Sequence, residues 1–344
     1  MRLSVQPVRA RLSAPFAAAW GTVDERELLL VSLEDSEGNV GFGEAAPLPA
    51  YDGAGVEDVR EALERYRGVL APAVDGARAD LLAACAAESG LAESLAAIDL
   101  ALWDLEGRRR RQPLWKLLGA PAAPEVVVNA TVSAEEPTEA AAQVGSARAA
   151  GFACAKVKVA VGDDAARLAA VRATGGDEMA IRVDANGGWS VEQAVEALGT
   201  LQRFGLELCE EPVHGVEAVA RVAPCSAVSI AVDETAGAPG VFERRVCDAV
   251  CLKVARCGGV SGVLAAAAAA RSVGYRVYLA STLDGPLGIA AALHAAALVA
   301  PELPCGLATL GAFADRPEVL VPRSGRMSPA PGPGLGDALV RWYH

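Results

Sequence analysis

The chain has 344 residues, and at roughly 150 residues per domain this length suggests two domains or one large barrel with an appendage. It carries 43 acidic and 31 basic side chains, a formal net charge of −12, and its one basic run is residues 108–111. Because nucleic-acid binding needs a clustered positive surface, we expect no nucleic-acid partner. The composition, 52% apolar and 22% charged, is typical of globular proteins.

The positions of the cysteines and the lengths of the apolar segments indicate the cellular compartment of the protein. The eight cysteines lie in apolar stretches without a Cys-x-x-Cys pair, so we predict buried thiols in a reducing environment. Arg2, Arg9 and Arg11 interrupt the apolar segment that a secretion signal would need. The longest apolar run, residues 287–300, is too short to span a bilayer and fits a buried helix better. We therefore expect a cytoplasmic protein with no membrane partner.

The first part of the chain predicts an α+β domain. Residues 26–34 and 40–44 have the composition of two strands joined by a turn, which predicts an opening hairpin. Residues 57–70 and 92–109 then show apolar side chains at helical spacing. We assign residues 1–120 to this domain.

The next part alternates short β-branched runs with Ala-rich helical stretches, the pattern of parallel βα units. We place eight strand starts near Val126, Ala153, Ala180, Leu206, Val228, Ala249, Tyr275 and Pro304. Eight such units can close into a barrel, which we assign to residues 125–313. An open doubly wound sheet is the alternative, but no Gly-x-Gly-x-x-Gly follows a strand. The Pro- and Gly-rich residues 314–344 are expected to return to the first domain.

Two lysines end the second predicted barrel strand. The strand period of two places Lys156 and Lys158 on the same side. Two adjacent ammonium groups repel each other, and burial also disfavours the charged form, so the pKa of each should fall and one could act as a base. For an isolated Lys-x-Lys, a solvated surface pair is the more common alternative.

Three carboxylates end the next three predicted strands. Asp184, Glu210 and Asp233 follow one another at intervals of 26 and 23 residues, so they should converge at the barrel mouth, where barrel enzymes place catalytic groups. Three carboxylates in one cleft cannot all stay ionised without a cation. Oxygen ligands without His or Cys favour Mg²⁺, with Mn²⁺ as the alternative ion. A single Asp at a strand end is more often a helix cap.

The lysines and the carboxylates together predict one kind of reaction. A divalent cation that binds a substrate carboxylate stabilises the enolate formed when the α-proton leaves, and a lysine on one face takes that proton. Lys253 ends the sixth predicted strand, across the mouth from Lys158. It would supply a positive charge or a second acid/base. We expect a small carboxylate as the substrate, and the sequence leaves a homo-oligomer open.

At these residues the sequence resembles the enolase superfamily, in particular its muconate lactonizing enzyme subgroup, over nearly the whole chain. The motifs that carry the resemblance, in chain order, are GFGEAAPLP, SLAAIDLALWDLEGRRRRQPLWKLLG, KVK, DANGGW, EEP, DET, LKVARCGG and PGPGLG. The resemblance implies an α/β fold, a modified TIM barrel (β/α)7β with an α+β capping domain. It also implies that cap loops around residues 12–23 and 47–53 close over the substrate.

The resemblance implies a role for each candidate residue. The implied metal ligands are Asp184, Glu210 and Asp233; the implied acid/base groups are Lys158 and Lys253, with Lys156 beside them; Asn186 and Glu234 are implied to lie near the substrate or behind the ligands. Branches of the superfamily with a histidine base are not expected, because none of the three histidines occupies a base position.

The seventh and eighth predicted strands resemble those of o-succinylbenzoate synthases, with Ala308 in place of an Asp. Dipeptide epimerases usually carry Asp-x-Asp in the eighth strand to hold a substrate ammonium, and this sequence lacks it. Asp284, after the seventh strand, is either a site residue or the cap of the next helix. Our first expectation is therefore the o-succinylbenzoate synthase reaction of menaquinone biosynthesis, a lyase activity. The alternatives are an N-acylamino acid racemase, an epimerase, a cycloisomerase, or a barrel without catalytic activity.

Overall fold

The N-terminal part of the chain is an antiparallel sheet covered by helices. The structure, a computed structural model, describes residues 1–19, 21–72 and 76–344, apart from the side chain of Asp52. The three strands pair in the order β1-β2-β3: β1 (Arg2–Ala18), β2 (Gly21–Glu34) and β3 (Val40–Ala45). The helices are α1 (Pro49–Asp52), α2 (Val56–Leu70), α3 (Arg78–Glu88), α4 (Ala92–Arg110) and α5 (Leu114–Leu117).

The predicted hairpin of residues 26–34 and 40–44 is confirmed as β2 and β3, but it does not open the chain. β1 precedes it and pairs antiparallel with β2, with one shift in register. Pro7 and Pro15 interrupt the sequence pattern of β1 and cannot donate to a strand ladder, so the sequence analysis missed this strand.

Helix α4 packs closely on β3 because two glycines let the backbones approach each other. A Cβ at Gly43 would lie 2.0 Å from the carbonyl oxygen of Ala97, and one at Gly41 would lie 2.2 Å from the backbone of α4. Any larger residue at either position would push the helix away from the sheet. The predicted helices over residues 57–70 and 92–109 are confirmed as α2 and α4.

The second part is a curved parallel sheet with helices outside it. Its strands pair in the order β11-β10-β9-β8-β7-β6-β5. They are β5 (Ala130–Val132), β6 (Cys154–Lys158), β7 (Ala180–Asp184), β8 (Leu206–Glu210), β9 (Ser229–Val232), β10 (Ala249–Leu252) and β11 (Arg276–Leu279), after a short β4 (Val126–Val127). The helices are α6 (Pro137–Ala149), α7 (Asp164–Gly175), α8 (Val191–Leu201), α9 (Val216–Val222), α10 (Val260–Ser272) and α11 (Pro286–Val299). This architecture confirms the predicted α/β class and the capped barrel.

The two ends of the predicted barrel differ from expectation. The run at Val126 is not a barrel strand, because β4 pairs antiparallel with β12 (Arg326–Met327) near the C-terminus. The segment after Pro304 forms only isolated bridges, one between Cys305 and Val128 and one between Gly306 and Ala280. These bridges link the two edges of the seven-stranded sheet. A β-branched run indicates an extended backbone but does not select its partner strand. The sequence therefore could not distinguish a barrel strand from an extended segment that pairs elsewhere.

Helix α11 confirms the prediction of a buried helix at residues 287–300, since nearly all of its side chains are buried. Burial lowers the pKa of His294 to about 4, so its ring is neutral. Its Nδ1 accepts from the N–H of Trp115 at 3.1 Å, and its Nε2 lies 3.2 Å from the carbonyl oxygen of Leu335. In the part of the chain that the structure describes, no helix has both the length and the apolar character to cross a membrane.

Six of the eight cysteines are buried, as predicted. The prediction was wrong for Cys225, which is exposed, and for Cys257, which is partly exposed. Both lie in connecting segments between a strand and a helix, where an apolar neighbour in sequence need not face the core.

The C-terminal segment makes hydrogen bonds with the first part of the chain. The N–H of Leu335 donates to Asp104 Oδ1 at 2.8 Å, and the carbonyl of Gly334 accepts from the N–H of Leu114 at 2.8 Å. The division of the chain into domains at residues 120, 125 and 313 stays a prediction.

A buried carboxyl group joins three parts of the molecule. Glu44, at the end of β3, accepts from the N–H of Gly285 at 2.8 Å and from the hydroxyl of Tyr343. It thereby connects the antiparallel sheet to the start of α11 and to the C-terminus. Burial and the nearby charge of Asp284 raise the pKa of Glu44 to about 8.

We expect the substitution Glu44→Gln to change how stability depends on pH. The native chain keeps Glu44 protonated up to about pH 8, whereas the unfolded chain releases this proton near the usual pKa of 4.5. Native stability should therefore fall as the pH rises from 4.5 towards 8, by at most about 1.4 kcal/mol per pH unit from this group. Glu44→Gln lacks this contribution, so its stability relative to the wild type should rise over the same range.

Urea unfolding at several pH values measures this difference. Glu61→Gln, at an exposed position of α2, is the matched control and should follow the wild type. Parallel pH dependence in the wild type and Glu44→Gln would contradict the assignment.

Candidate active site

Charged side chains gather at the carboxyl ends of neighbouring strands. In the parallel ladder Lys158 lies opposite Asp184, and Asp184 lies opposite Glu210. Asp233 and Lys253 directly follow β9 and β10. The predicted convergence at one end of the sheet is therefore seen in the structure, and it follows from the parallel direction of the strands, whose carboxyl ends lie side by side.

Four of these side chains, those of Lys158, Asp184, Asp233 and Lys253, border a cavity with about 530 Å³ of empty space that is partly open to solvent. The cavity is lined by Phe16, Leu48, Tyr51, Thr131, Lys156, Lys158, Asp184, Asn186, Asp233, Lys253, Ser281, Thr282, Leu283, Gly306 and Thr309. Phe16, Leu48 and Tyr51 come from the two cap segments that were expected to cover the substrate.

Lys156 joins two of the carboxylates. Its Nζ lies 3.0 Å from Asp184 Oδ2 and 3.0 Å from Glu210 Oε1, so these two oxygens are at most 6.0 Å apart. Burial would lower the pKa of Lys156, but the charges of Asp184 and Glu210 outweigh it and hold the pKa well above its usual value. The expected lowering by repulsion between the two lysines is therefore wrong for Lys156, because nearby carboxylates dominate.

Lys158 is held by side chains of the barrel. Its Nζ donates to Asp184 Oδ2 and to Asn186 Oδ1, both at 2.7 Å. Asn186 in turn donates to Glu234 Oε1 at 2.9 Å. The other oxygen of Glu234, Oε2, is buried and has no hydrogen-bond partner among the described residues. Burial and the charges of Asp233 and Asp184 raise the pKa of Glu234 to about 8.

Lys253 is held from both the barrel and the cap. Its Nζ donates to Asp233 Oδ1 at 2.6 Å and to Asp233 Oδ2 at 2.5 Å. It also donates to the hydroxyl of Tyr51, which lies on α1. β10, which carries Lys253, is separated from β6, which carries Lys158, by three intervening strands.

The donor set fits a divalent cation. Oxygens of Glu210 and Asp233 and the thiol of Cys251 all lie within 4.8 Å of one another. Asp184 is not part of that group, and its Oδ2 accepts from Lys156 and Lys158. Burial, together with the charges of Asp184 and Asp233, raises the pKa of Glu210 against the opposing charge of Lys156. Buried carboxylate oxygens are the ligands that a hard cation such as Mg²⁺ prefers.

Glu211 is a buried residue that the sequence analysis did not single out. Its Oε1 accepts from the N–H and the hydroxyl of Thr235 at 3.0 and 2.5 Å and lies 3.0 Å from His214 Nδ1. Its Oε2 accepts from the N–H of Asp233 at 2.7 Å. Glu211 thus fixes the backbone that carries Asp233. Glu211 directly follows β8, and the available signal in the sequence was its place as the second glutamate of the EEP motif.

For Asp284 the structure contradicts the helix-cap alternative and places the side chain behind the wall of the cavity. The residue that caps α11 is Gly285, without a side-chain cap, and Asp284 is not among the side chains that line the cavity. Asp284 is buried and accepts from the N–H and the hydroxyl of Thr282, at 3.1 and 3.0 Å. It therefore holds the loop that presents Thr282 and Leu283 to the cavity.

Comparison with known protein families identifies the family of this chain. A family model described as Enolase C-terminal domain-like matches residues 139–341, and one described as Mandelate racemase / muconate lactonizing enzyme, N-terminal domain matches residues 2–119. The chain belongs to the mandelate racemase and muconate lactonizing enzyme family of the enolase superfamily. Members of this superfamily are Mg²⁺-dependent enzymes, and an isomerase or a lyase activity fits this chain.

Three curated relatives illustrate the range of activities. An L-Ala-D/L-Glu epimerase of Clostridium acetobutylicum is 31% identical over 298 residues, 83% of this chain and 83% of that protein. An N-succinyl-L-Arg/Lys racemase of Bacillus cereus is 26% identical and covers 84% of this chain and 81% of that protein. An o-succinylbenzoate synthase of Thermobifida fusca is 42% identical over 202 residues, but these cover only 56% of this chain and 62% of that protein.

A solved structure agrees with the fold. The substrate-liganded L-Ala-D/L-Glu epimerase from Bacillus subtilis superposes with a TM-score of 0.87, at 28% identity, over 98% of each chain. The match extends through both the capping part and the barrel.

We expect Glu211→Ala to destabilise the enzyme strongly. The substitution leaves two backbone N–H groups and a hydroxyl without their acceptor in a buried place, at a cost of about 3 kcal/mol or more. Guanidinium unfolding, measured beside Glu196→Ala at an exposed position of α8, tests this. Equal stability of the two variants would show that Glu211 does not hold the Asp233 segment.

Proposed function

We propose that this enzyme is a racemase or epimerase that exchanges the α-proton of a carboxylate substrate between Lys158 and Lys253. The observation that carries the proposal is the placement of two buried lysines at one cavity, on strands separated by three others. A proton removed from one face of Cα by one lysine and returned to the other face by the second inverts the stereocentre. Similarity to an epimerase over 83% of this chain and to a racemase over 84% supports this reading.

The proposed steps use groups of this chain. In one direction, the neutral amine of Lys158 takes the α-proton, and the ammonium of Lys253 donates a proton to the opposite face. Lys156, between Asp184 and Glu210, keeps an additional positive charge beside the cavity. A divalent cation held by Asp184, Glu210 and Asp233 would supply positive charge that stabilises the negative charge spreading into the substrate carboxylate as the proton leaves.

The lining of the cavity favours a substrate without a free ammonium group. The two carboxylates that line it, Asp184 and Asp233, are both paired with lysines. Apart from the charged residues and Asn186, the wall is apolar or carries hydroxyl groups. Ala308, which stands in place of an Asp of the synthases, lines a different cavity. Burying an unpaired ammonium would be costly. An N-acylated α-amino acid therefore fits better than a dipeptide with a free amino terminus.

The o-succinylbenzoate synthase reaction, the first expectation from the sequence, is the second candidate. It needs the same proton abstraction, followed by loss of hydroxide in place of reprotonation. The 42% identity to the Thermobifida fusca synthase favours it, but this match covers 56% of the chain, whereas the epimerases match over most of it. The comparisons thus support the racemase alternative better.

The deciding experiment is a substrate panel in D2O with Mg²⁺. N-succinyl and N-acetyl derivatives of apolar, basic and acidic amino acids are followed by loss of the α-proton signal in NMR and by optical rotation. We expect exchange together with racemisation for at least one N-acylated amino acid. Dehydration of 2-succinyl-6-hydroxycyclohexadiene carboxylate that is faster than any racemisation would establish the second candidate.

Single-lysine variants test the roles of the two amines. We expect Lys158→Ala and Lys253→Ala each to lower racemisation by at least about 100-fold, the low end for loss of a general acid or base. Each variant should still exchange the α-proton of one enantiomer, through the lysine that remains. A loss well below this size would exclude the altered lysine as an acid/base group.

Metal binding is tested by Asp233→Asn. This change removes a charged oxygen ligand, so the Mg²⁺ dissociation constant from calorimetry should rise at least about 10-fold. Asp177→Asn, at an exposed position, is the control and should bind Mg²⁺ as the wild type does. Unchanged affinity in Asp233→Asn would place the cation elsewhere.

A further inference from the structure

The capping part places one aromatic side chain against each of the two lysines. The ring centroid of Phe16 lies 5.5 Å from Lys158 Nζ, and that of Tyr51 lies 4.1 Å from Lys253 Nζ. Both rings line the cavity. Each of the two lysines therefore has its own aromatic neighbour from the cap, a phenylalanine beside Lys158 and a tyrosine beside Lys253.

The two aromatic residues do not offer the same interaction. Tyr51 accepts a hydrogen bond from Lys253, whereas Phe16 has no polar atom in its side chain. Lys158 donates hydrogen bonds to Asp184 and Asn186, and both of these residues belong to the barrel. Within the described residues, the cap thus supplies a hydrogen-bond partner to one lysine of the pair.

An ammonium group has three N–H donors, and those of Lys253 are directed at three acceptors: the two carboxylate oxygens of Asp233 and the hydroxyl of Tyr51. Asp233 is also one of the proposed cation ligands. An oxygen committed to a cation is a poorer acceptor for Lys253, whereas the hydroxyl of Tyr51 is outside that ligand set. Tyr51 is therefore the partner that Lys253 can keep when the carboxylate is engaged elsewhere.

The ring of Tyr51 is itself held in place. The guanidinium carbon of Arg256 lies 4.8 Å from its centroid, so two cations contact the same ring. A ring that is fixed in this way gives its hydroxyl a defined position. The geometry thus provides an orienting contact for Lys253.

We propose that Tyr51 is a positioning residue that orients Lys253, and that it acts on this side of the substrate and not on the side of Lys158. This inference rests on the proposed two-lysine reaction. It follows that the two proton transfers depend on different parts of the molecule. Proton transfer by Lys253 depends on the position of the cap, because Tyr51 belongs to the cap. Proton transfer by Lys158 depends on the barrel residues that orient this lysine.

The test introduces Tyr51→Phe, which keeps the ring and removes the hydroxyl, into each single-lysine variant. With Mg²⁺ and the best substrate of the panel, the exchange of the α-proton by Lys253 is read in the Lys158→Ala background, and the exchange by Lys158 in the Lys253→Ala background. We expect Tyr51→Phe to slow exchange by Lys253 about 10- to 100-fold, the effect of losing one hydrogen bond to a charged group. This loss should appear in kcat and exceed the loss on the Lys158 side at least tenfold.

Tyr66→Phe is the matched control. Tyr66 is another cap tyrosine, and it donates to the carbonyl of Ser89, away from the cavity. This variant should reduce neither exchange. Losses of equal size in the two backgrounds with Tyr51→Phe, or no loss in either, would overturn the proposal.

A second readout needs no substrate. Acetylation of the Mg²⁺-loaded protein by a small anhydride, followed by mass spectrometry, gives the labelling rate of each lysine. Removal of the Tyr51 hydroxyl should change labelling of Lys253 several-fold relative to Lys158, and unchanged labelling would overturn the proposal. If no compound of the panel exchanges its α-proton, the proposed function fails, and the labelling result still decides whether Tyr51 orients Lys253.

Discussion

The site depends on the mutual neutralisation of buried acidic and basic side chains. Asp184 and Glu210 share Lys156, Asp184 also accepts from Lys158, and Asp233 accepts from Lys253, all within 3.0 Å. Any one of these charges alone in the interior would cost several kcal/mol. Burial raises the pKa of each carboxyl, yet the lysines hold the pKa of Asp184 and Asp233 below their usual values. The parallel ladder makes this possible, because it aligns the strand ends at one level.

The capping part and the barrel meet through buried polar groups, so their interface and the site depend on each other. Glu44 links β3 to Gly285 and Tyr343, directly beside the loop that presents Thr282 and Leu283 to the cavity. Arg26, buried in the same region, donates to the carbonyl oxygens of Ala46 and Pro47 within the cap and to that of Leu283 in the barrel. A change in this interface would therefore move the cavity wall as well as the cap.

The cavity wall has two chemically different parts. The first part consists of charged side chains at and near the strand ends, namely Lys156, Lys158, Asp184, Asp233 and Lys253. The second part brings cap residues such as Phe16 and Leu48 together with hydroxyl residues such as Thr131 and Ser281. Among the described residues, each carboxylate that lines the cavity is paired with a lysine.

The sequence by itself determined the repeating βα pattern and the order of Lys158, Asp184, Glu210, Asp233 and Lys253 at strand ends. Both are local properties: strand periodicity sets which side chains share a face, and a crossover between successive parallel strands returns each strand end to the same edge of the sheet. The outer strands were misplaced because a short apolar run does not specify its partner.

Only the tertiary structure decided the contacts between distant residues. Tyr51 lies 202 residues from Lys253, and Glu44 lies 299 residues from Tyr343, so no periodicity connects them. The direction of the lysine pKa shift was decided in the same way. Sequence spacing showed a lysine neighbour for Lys156, but the fold surrounds it with carboxylates from other strands, and the electrostatic effect of a charge depends on distance in space.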